Sequence, residues 1–211
     1  FINPKIILIM DLTELLKGNI PQDLIGTLSQ QMGTEPQQTQ SAAQSIFTTL
    51  LGGLAKNAST EEGAQGILGA LDRDHDGSVL NDLGGLLTGA MGSSQATNGA
   101  GILGHILGSK QQGAVDMVSQ TSGIDANSAM SMMLKLAPIL MGVLGKAKQD
   151  NGLDAGGLSG LLSGVMGNQQ VQEQNPLVAI ATRFIDQDGD GDIMDDLSGM
   201  GMNILGGMLK K

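Results

Sequence analysis

Ala114-Val115-Asp116-Met117-Val118-Ser119-Gln120-Thr121-Ser122-Gly123-Ile124-Asp125, running into Ala126 to Lys148, is the stretch from which the architecture can be read. Gly123 stands where a helix can leave through the left-handed conformation, which a residue without Cβ adopts at little cost. Asp125, two residues on, can accept the free N–H groups of a following first turn. The stretch therefore reads as helix 111–121, a stop, and helix 126–148. The same punctuation recurs elsewhere. Pro21, Pro36 and Pro176 each follow a turn or cap residue (Asn19, Thr34 and Asn175), as first-turn prolines do. The spacing predicts helices over 11–18, 21–32, 36–56, 61–71, 80–92, 101–108, 111–121, 126–148, 154–166, 176–185 and 194–209. Short polar linkers are expected at Ser93 to Ala100 and Asn168 to Asn175.

Composition agrees with this reading. The 211 residues hold no Trp, no Tyr and three Phe, against 33 Gly and 13 Met. A core without aromatics must be built from Leu, Ile, Val, Met and Ala, which suits closely packed helices. No stretch alternates apolar and polar residues as a strand would. The expected class is all-α, a compact bundle of short Gly/Leu/Met-rich helices with an internal duplication and two Asp-rich metal loops.

The duplication shows at an offset of 90. Ser29, Gln30, Gly33, Ser41, Leu50, Gly52, Leu54, Lys56, Gly66, Leu68 and Leu71 recur as Ser119, Gln120, Gly123, Ser131, Leu140, Gly142, Leu144, Lys146, Gly156, Leu158 and Leu161. The Ser-Gln…Gly corner and the Lys carry most weight, because Gly and Leu match easily by chance. Residues 10–92 are read as a first helical repeat and 101–211 as a second. Phe1 to Ile9 is read as an extension upstream of a natural start at Met10.

The stretch from Ala114 to Asp125, continued through Ala129, Leu136, Pro138 and Leu144, resembles a bacterial family of helical proteins of unknown function related to the YidB-like proteins. The resemblance covers roughly residues 20–165 in two copies. The first copy departs from the pattern, with Thr34-Glu35-Pro36 at the cap and no counterpart of Pro138. The resemblance implies a helical fold and no particular activity.

Charge is the other signal. The formal net charge is −10, and ten of the 21 acids fall in two short windows. The first reads Asp72-Arg73-Asp74-His75-Asp76-Gly77-Ser78-Val79-Leu80-Asn81-Asp82-Leu83, and the second Asp186-Gln187-Asp188-Gly189-Asp190-Gly191-Asp192-Ile193-Met194-Asp195-Asp196-Leu197. Such density repels itself unless a cation neutralises it. Calcium takes six to eight oxygens, and alternate carboxylates on a curled loop, with Gly at position 6, converge on one point. Asp72, Asp74, Asp76 and Asp82 would ligate in the first loop, with the Ser78 carbonyl. Asp186, Asp188, Asp190 and Asp196 would do so in the second, with the Asp192 carbonyl. Two calcium ions are expected.

Both loops depart from the EF-hand pattern, since position 12 is Leu and the last acid stands at 11. One residue turns the outgoing helix by about 100°. The loops are therefore EF-hand-like, and they resemble dockerin-type loops more than calmodulin-type ones. At position 8, Val79 and Ile193 could bridge the two loops, or each could anchor its own loop onto the following helix. The competing reading is a pair of Asp-rich turns whose carboxylates cap helices.

The remaining residues exclude more than they suggest. Without Cys there is no thiolate chemistry, and neither His75, expected to face solvent, nor His105 has a partner constellation. No acid–base pair or phosphate-cradling loop is present, so no enzymatic activity is expected. Eleven basic residues and no aromatic platform argue against nucleic acid. The longest apolar stretch, Leu136 to Leu144, is far shorter than a membrane span and is bracketed by Lys135 and Lys146, which argues against insertion. Met130, Met132, Met133 and Met141 are expected in the core.

Gly152, Gly156, Gly160 and Gly164, like Gly85 and Gly89, recur every four residues, which permits close helix packing within the chain or between copies. No secretory signal is legible, so a cytoplasmic location is the default, although calcium loops would suit an extracytoplasmic one. The leading expectation is a calcium-binding, non-enzymatic helical protein with a structural or protein-interaction role. The alternative is a self-associating helical scaffold whose Gly stripes oligomerise and whose Asp loops are incidental.

Overall fold

A computed structural model describes residues 12–90 and 97–167. The second Asp loop, the helices expected over 176–185 and 194–209, and residues 1–9 lie outside the described residues. Within them the helices are α1 (Leu12–Leu16), α2 (Gln22–Met32), α3 (Pro36–Asn57), α4 (Glu61–Arg73), α5 (Leu83–Thr88), α6 (Gly99–Leu107), α7 (Gln111–Ser122), α8 (Ala126–Asn151) and α9 (Ala155–Gly167). Short 3-10 turns, Ser78–Asp82 and Gly108–Lys110, precede α5 and α7. No strand occurs among the described residues. The fold is all-α.

The helices start and stop as the capping chemistry requires. At the end of α7, Gly123 has φ +74° and donates its N–H to the Ser119 carbonyl, while the Ser119 hydroxyl donates to the Ile124 carbonyl at 2.6 Å. At the end of α2, Gly33 has φ +66° and donates to the Ser29 carbonyl, and the Ser29 hydroxyl donates to the Thr34 carbonyl, also at 2.6 Å. The Ser-Gln…Gly corner is thus one device used twice, 90 positions apart. The helices that follow begin differently. Asp125 accepts the N–H groups of Asn127 and Ser128, each at 3.0 Å, to open α8. Glu35 makes no side-chain cap; α3 opens with Pro36, and Thr39 donates its hydroxyl to the Glu35 carbonyl.

The repeat changes register after the long helices. α3 has 22 residues and α8 has 26, so the second copy gains about one turn. The next cap follows this shift. Thr60 accepts the N–H of Gly63 to open α4, and Asp154 accepts that of Gly157 to open α9, an offset of 94. The pairs Gly66/Gly156, Leu68/Leu158 and Leu71/Leu161, matched at 90, are therefore not equivalent positions. Ala64 corresponds to Leu158 and Leu68 to Leu162. A gapless comparison cannot see an inserted helical turn, because four residues later the same face returns.

α3 and α8 are the centre of the molecule. Their middle stretches, from Ile46 to Leu54 and from Leu136 to Leu144, are buried on all sides, as core helices are. α7 and α8 pack on α3, α6 packs on α8, α4 reaches across to α8, and α9 reaches back to α3 and α4. The two copies share one apolar core. Met132, Met133 and Met141 lie inside it, and Met130 is partly buried against it. α8 is long and apolar enough by composition to cross a membrane, but 72% of its most apolar window is covered by the rest of the bundle.

Candidate metal loop at the corner of α4 and α5

The acidic corner is built on top of α8. α4 ends at Arg73, and Asp74 closes it by donating its N–H to the Ala70 carbonyl at 2.9 Å. The chain reverses at Gly77, whose φ of +90° is strained for any residue carrying a Cβ. Asp76 steadies the reversal, its Oδ1 accepting the Ser78 N–H at 2.9 Å. The bonds to Ser78 hold the Asp76 carboxyl below the usual carboxylate range. A 3-10 turn then carries Val79 and Leu80 into the core. Asp82 ends the turn by accepting the Gly85 N–H at 2.8 Å, which caps α5.

The floor of the corner is a groove in α8 made by Gly142 and Gly145. A Cβ at Gly145 would overlap the carbonyl oxygen of His75, and one at Gly142 would stand 2.6 Å from Val79 Cγ1. Beyond the groove, the last turn of α8 holds the loop from the side. Lys148 makes an ion pair with Asp72, and Gln149 donates its side-chain amide to the Asp76 carbonyl at 3.0 Å. On the other side, Lys135 donates to the Leu87 carbonyl at the end of α5, where a cation also complements the helix dipole.

Each acid of the first loop is therefore placed. Asp72 is exposed and paired with Lys148, Asp74 is the closing residue of α4, Asp76 makes the turn, and Asp82 is a cap. Among the described residues, no three Asp, Glu or His side chains are gathered in a metal-holding set. Asp186, Asp188, Asp190, Asp192 and Asp196 lie outside the described residues.

One expectation is corrected. His75 does not face solvent; it is 5% exposed, and its Nδ1 is buried without a hydrogen-bond partner. Burial lowers its pKa, partly offset by Asp74 and Asp76, so the imidazole is held neutral at pH 7. The reason is the close seat on Gly145, which presses this part of the loop against α8. Val79 also packs on α8, its Cγ1 lying against Gly142.

Sequence reasoning missed Gly145, Lys148 and Gln149. A signal existed in Gly142 and Gly145, three residues apart on one helix face, followed by basic residues in an otherwise acidic chain. Gly156, Gly160 and Gly164 are different. They lie exposed on α9, and no described atom comes within 4 Å of a Cβ placed at Gly160 or Gly164.

These features define an all-helical bundle made of two interlocked copies of a helix–corner–long-helix unit, with an acidic corner docked on the second long helix. The chain belongs to the bacterial family of proteins of unknown function DUF937, which matches residues 14–147. That match takes in the first acidic loop and most of α8. No curated protein and no solved structure matches the chain.

Proposed function

We propose that this protein is a calcium-binding, non-enzymatic helical protein with a structural or protein-interaction role, in which bound ions stiffen corners between helices. The observation that supports this reading is Gly77. It stands at position 6 of the Asp72-Asp74-Asp76 run with φ +90°, the sharp turn that a curled carboxylate loop needs there. Binding would require the loop to turn its carboxylates inward, with Asp72 leaving Lys148 and Asp82 leaving the Gly85 N–H. The EF-hand and dockerin likeness of both loops and the relation to YidB-like proteins are part of the same reading.

A calorimetric calcium titration of the EDTA-stripped protein tests it. Without a bidentate Glu at position 12, dissociation constants of about 10⁻⁵ to 10⁻³ M are expected, the range of weak extracellular modules. Asp74→Ala and Asp190→Ala should each remove one equivalent. Unchanged stoichiometry in either variant removes that loop from the assignment, and a nanomolar constant at physiological salt overturns the proposed coordination.

The exposed glycines of α9 favour a second reading, self-association through close helix contact. It predicts calcium-independent oligomers in sedimentation, lost on Gly160→Leu. A monomer at all accessible concentrations rejects it.

A further inference from the structure

The end of α8, the longer of the two central helices, also holds the acidic corner. α3 and α8 start 90 positions apart, at Pro36 and Ala126, and end 94 apart, at Asn57 and Asn151, so α8 is one turn longer. That end carries Lys148 and Gln149, which reach Asp72 and the Asp76 carbonyl. The Lys148 side chain is 17% exposed while Asp72 is 64% exposed, so the cation is fixed against the bundle and the carboxylate comes to it. Gly145, one turn earlier, removes the side chain that would keep the loop off.

We propose that the last turn of α8 is a clasp closed on the acidic corner, and that Lys148 competes with a divalent cation for Asp72. The second half rests on the calcium reading of the first loop; the first half does not. With the clasp closed, the Lys148 ammonium occupies the carboxylate at position 1 of the loop, and Gln149 takes the Asp76 carbonyl. A divalent ion drawing Asp72 toward Asp74 and Asp76 must break the pair with Lys148 and so loosens the end of α8. Ion binding at the corner is thereby coupled to the order of a turn on another helix, which is the form a switch takes when two cations share one carboxylate. The same competition lowers affinity for the ion and makes it depend on salt.

The test uses the full chain, hydrogen exchange and calorimetry with calcium chloride. In EDTA, Lys148→Met should speed exchange in peptides covering 72–82 and 146–151, with Lys148→Arg restoring protection. Equal exchange in wild type and Lys148→Met overturns the clasp. Lys148→Met should also tighten calcium at the first loop by about two- to fivefold, the strength of a partly exposed ion pair. Calcium added to wild type should speed exchange at 146–151. If Asp74→Ala removes an equivalent of calcium but Lys148→Met leaves affinity unchanged, the competition is wrong although the calcium reading stands. If Asp74→Ala removes none, the calcium reading of this loop and the competition both fall. The clasp is then judged by exchange alone, with Gln149→Ala as a second variant expected to loosen the same two segments.

Discussion

At the residue scale, the corner depends on two glycines for different reasons. Gly77 needs its positive φ, and Gly145 needs its missing side chain. Gly77→Ala should cost about 1–2 kcal/mol, the penalty of the left-handed region for an L-residue. Gly145→Ala should cost more, on the order of 2–4 kcal/mol, because the His75 carbonyl cannot give way without lifting the loop. Urea unfolding of the two variants checks the order. His75 adds a pH dependence. Its folded pKa lies below the unfolded value of about 6.5, so the unfolded chain binds a proton that the native state resists. The ionisation therefore adds no penalty well above that value, and stability falls as pH drops below about 6.5. Asp76 contributes in the same direction at lower pH, since a lowered carboxyl loses its advantage on protonation. In EDTA, the urea midpoint should fall between pH 7.5 and 5.5 in wild type and fall less in His75→Gln.

At the element scale, repetition makes paired predictions possible. Ser29 and Ser119 make the same bond to the carbonyl of the residue immediately after each left-handed glycine, Thr34 and Ile124 respectively. Ser29→Ala and Ser119→Ala should each destabilise the protein by about 1 kcal/mol, as the loss of one partly buried hydrogen bond does. Widely different values in urea unfolding would show that the two corners are not energetically equivalent. α6 provides a contrast within one helix. Pro138 has no N–H to give the Leu134 carbonyl, and it is there that the start of α6 comes closest, since a Cβ at Gly99 would overlap that oxygen. Gly104, in the middle of the same helix, has no described atom within 4 Å of its would-be Cβ. Gly99→Ala should destabilise by on the order of 2–4 kcal/mol. Gly104→Ala should stabilise by about 0.5–1 kcal/mol, because Ala is the better helix former. Thermal melts of the two variants should move in opposite directions.

At the scale of the whole molecule, the copies cannot be treated as independent domains. α9 closes over α3 and α4, α4 reaches α8, and the hydroxyls of Ser45 on α3 and Thr121 on α7 meet at 3.0 Å across the copies. Phe47, fully buried in α3, is held inside the common core. Phe47→Ala should cost about 3–5 kcal/mol, the usual loss for a large buried side chain. It should lower the transition seen by exchange in α8 as much as that seen in α3. Loss of protection confined to α2–α4 would mean that the copies unfold separately. The acidic corner belongs at this scale too. Its carboxylates come from one copy and its clasp from the other, so a weakened corner should be felt in both.

The sequence alone determined the helical class and most helix ends, because the responsible interactions are local. A left-handed glycine, an Asp cap and a first-turn proline act within a few residues, and the scarcity of aromatics and lack of alternating patterns leave helices as the remaining choice. Of the acidic window, the turn at Gly77 was legible, but its flanks were not: Asp72 and Arg73 complete α4, and Ser78–Asp82 is a 3-10 turn. Three things were decided only by tertiary structure. The change of register from 90 to 94 is invisible locally, because an added turn restores the helix face and only the caps of α4 and α9 reveal it. The burial of His75 depends on a glycine 70 positions away, with no trace in its polar neighbours. The pairing of Asp72 with Lys148 joins residues that meet only because α4 and α8 cross, and periodicity specifies which face a helix buries but not which helix it meets.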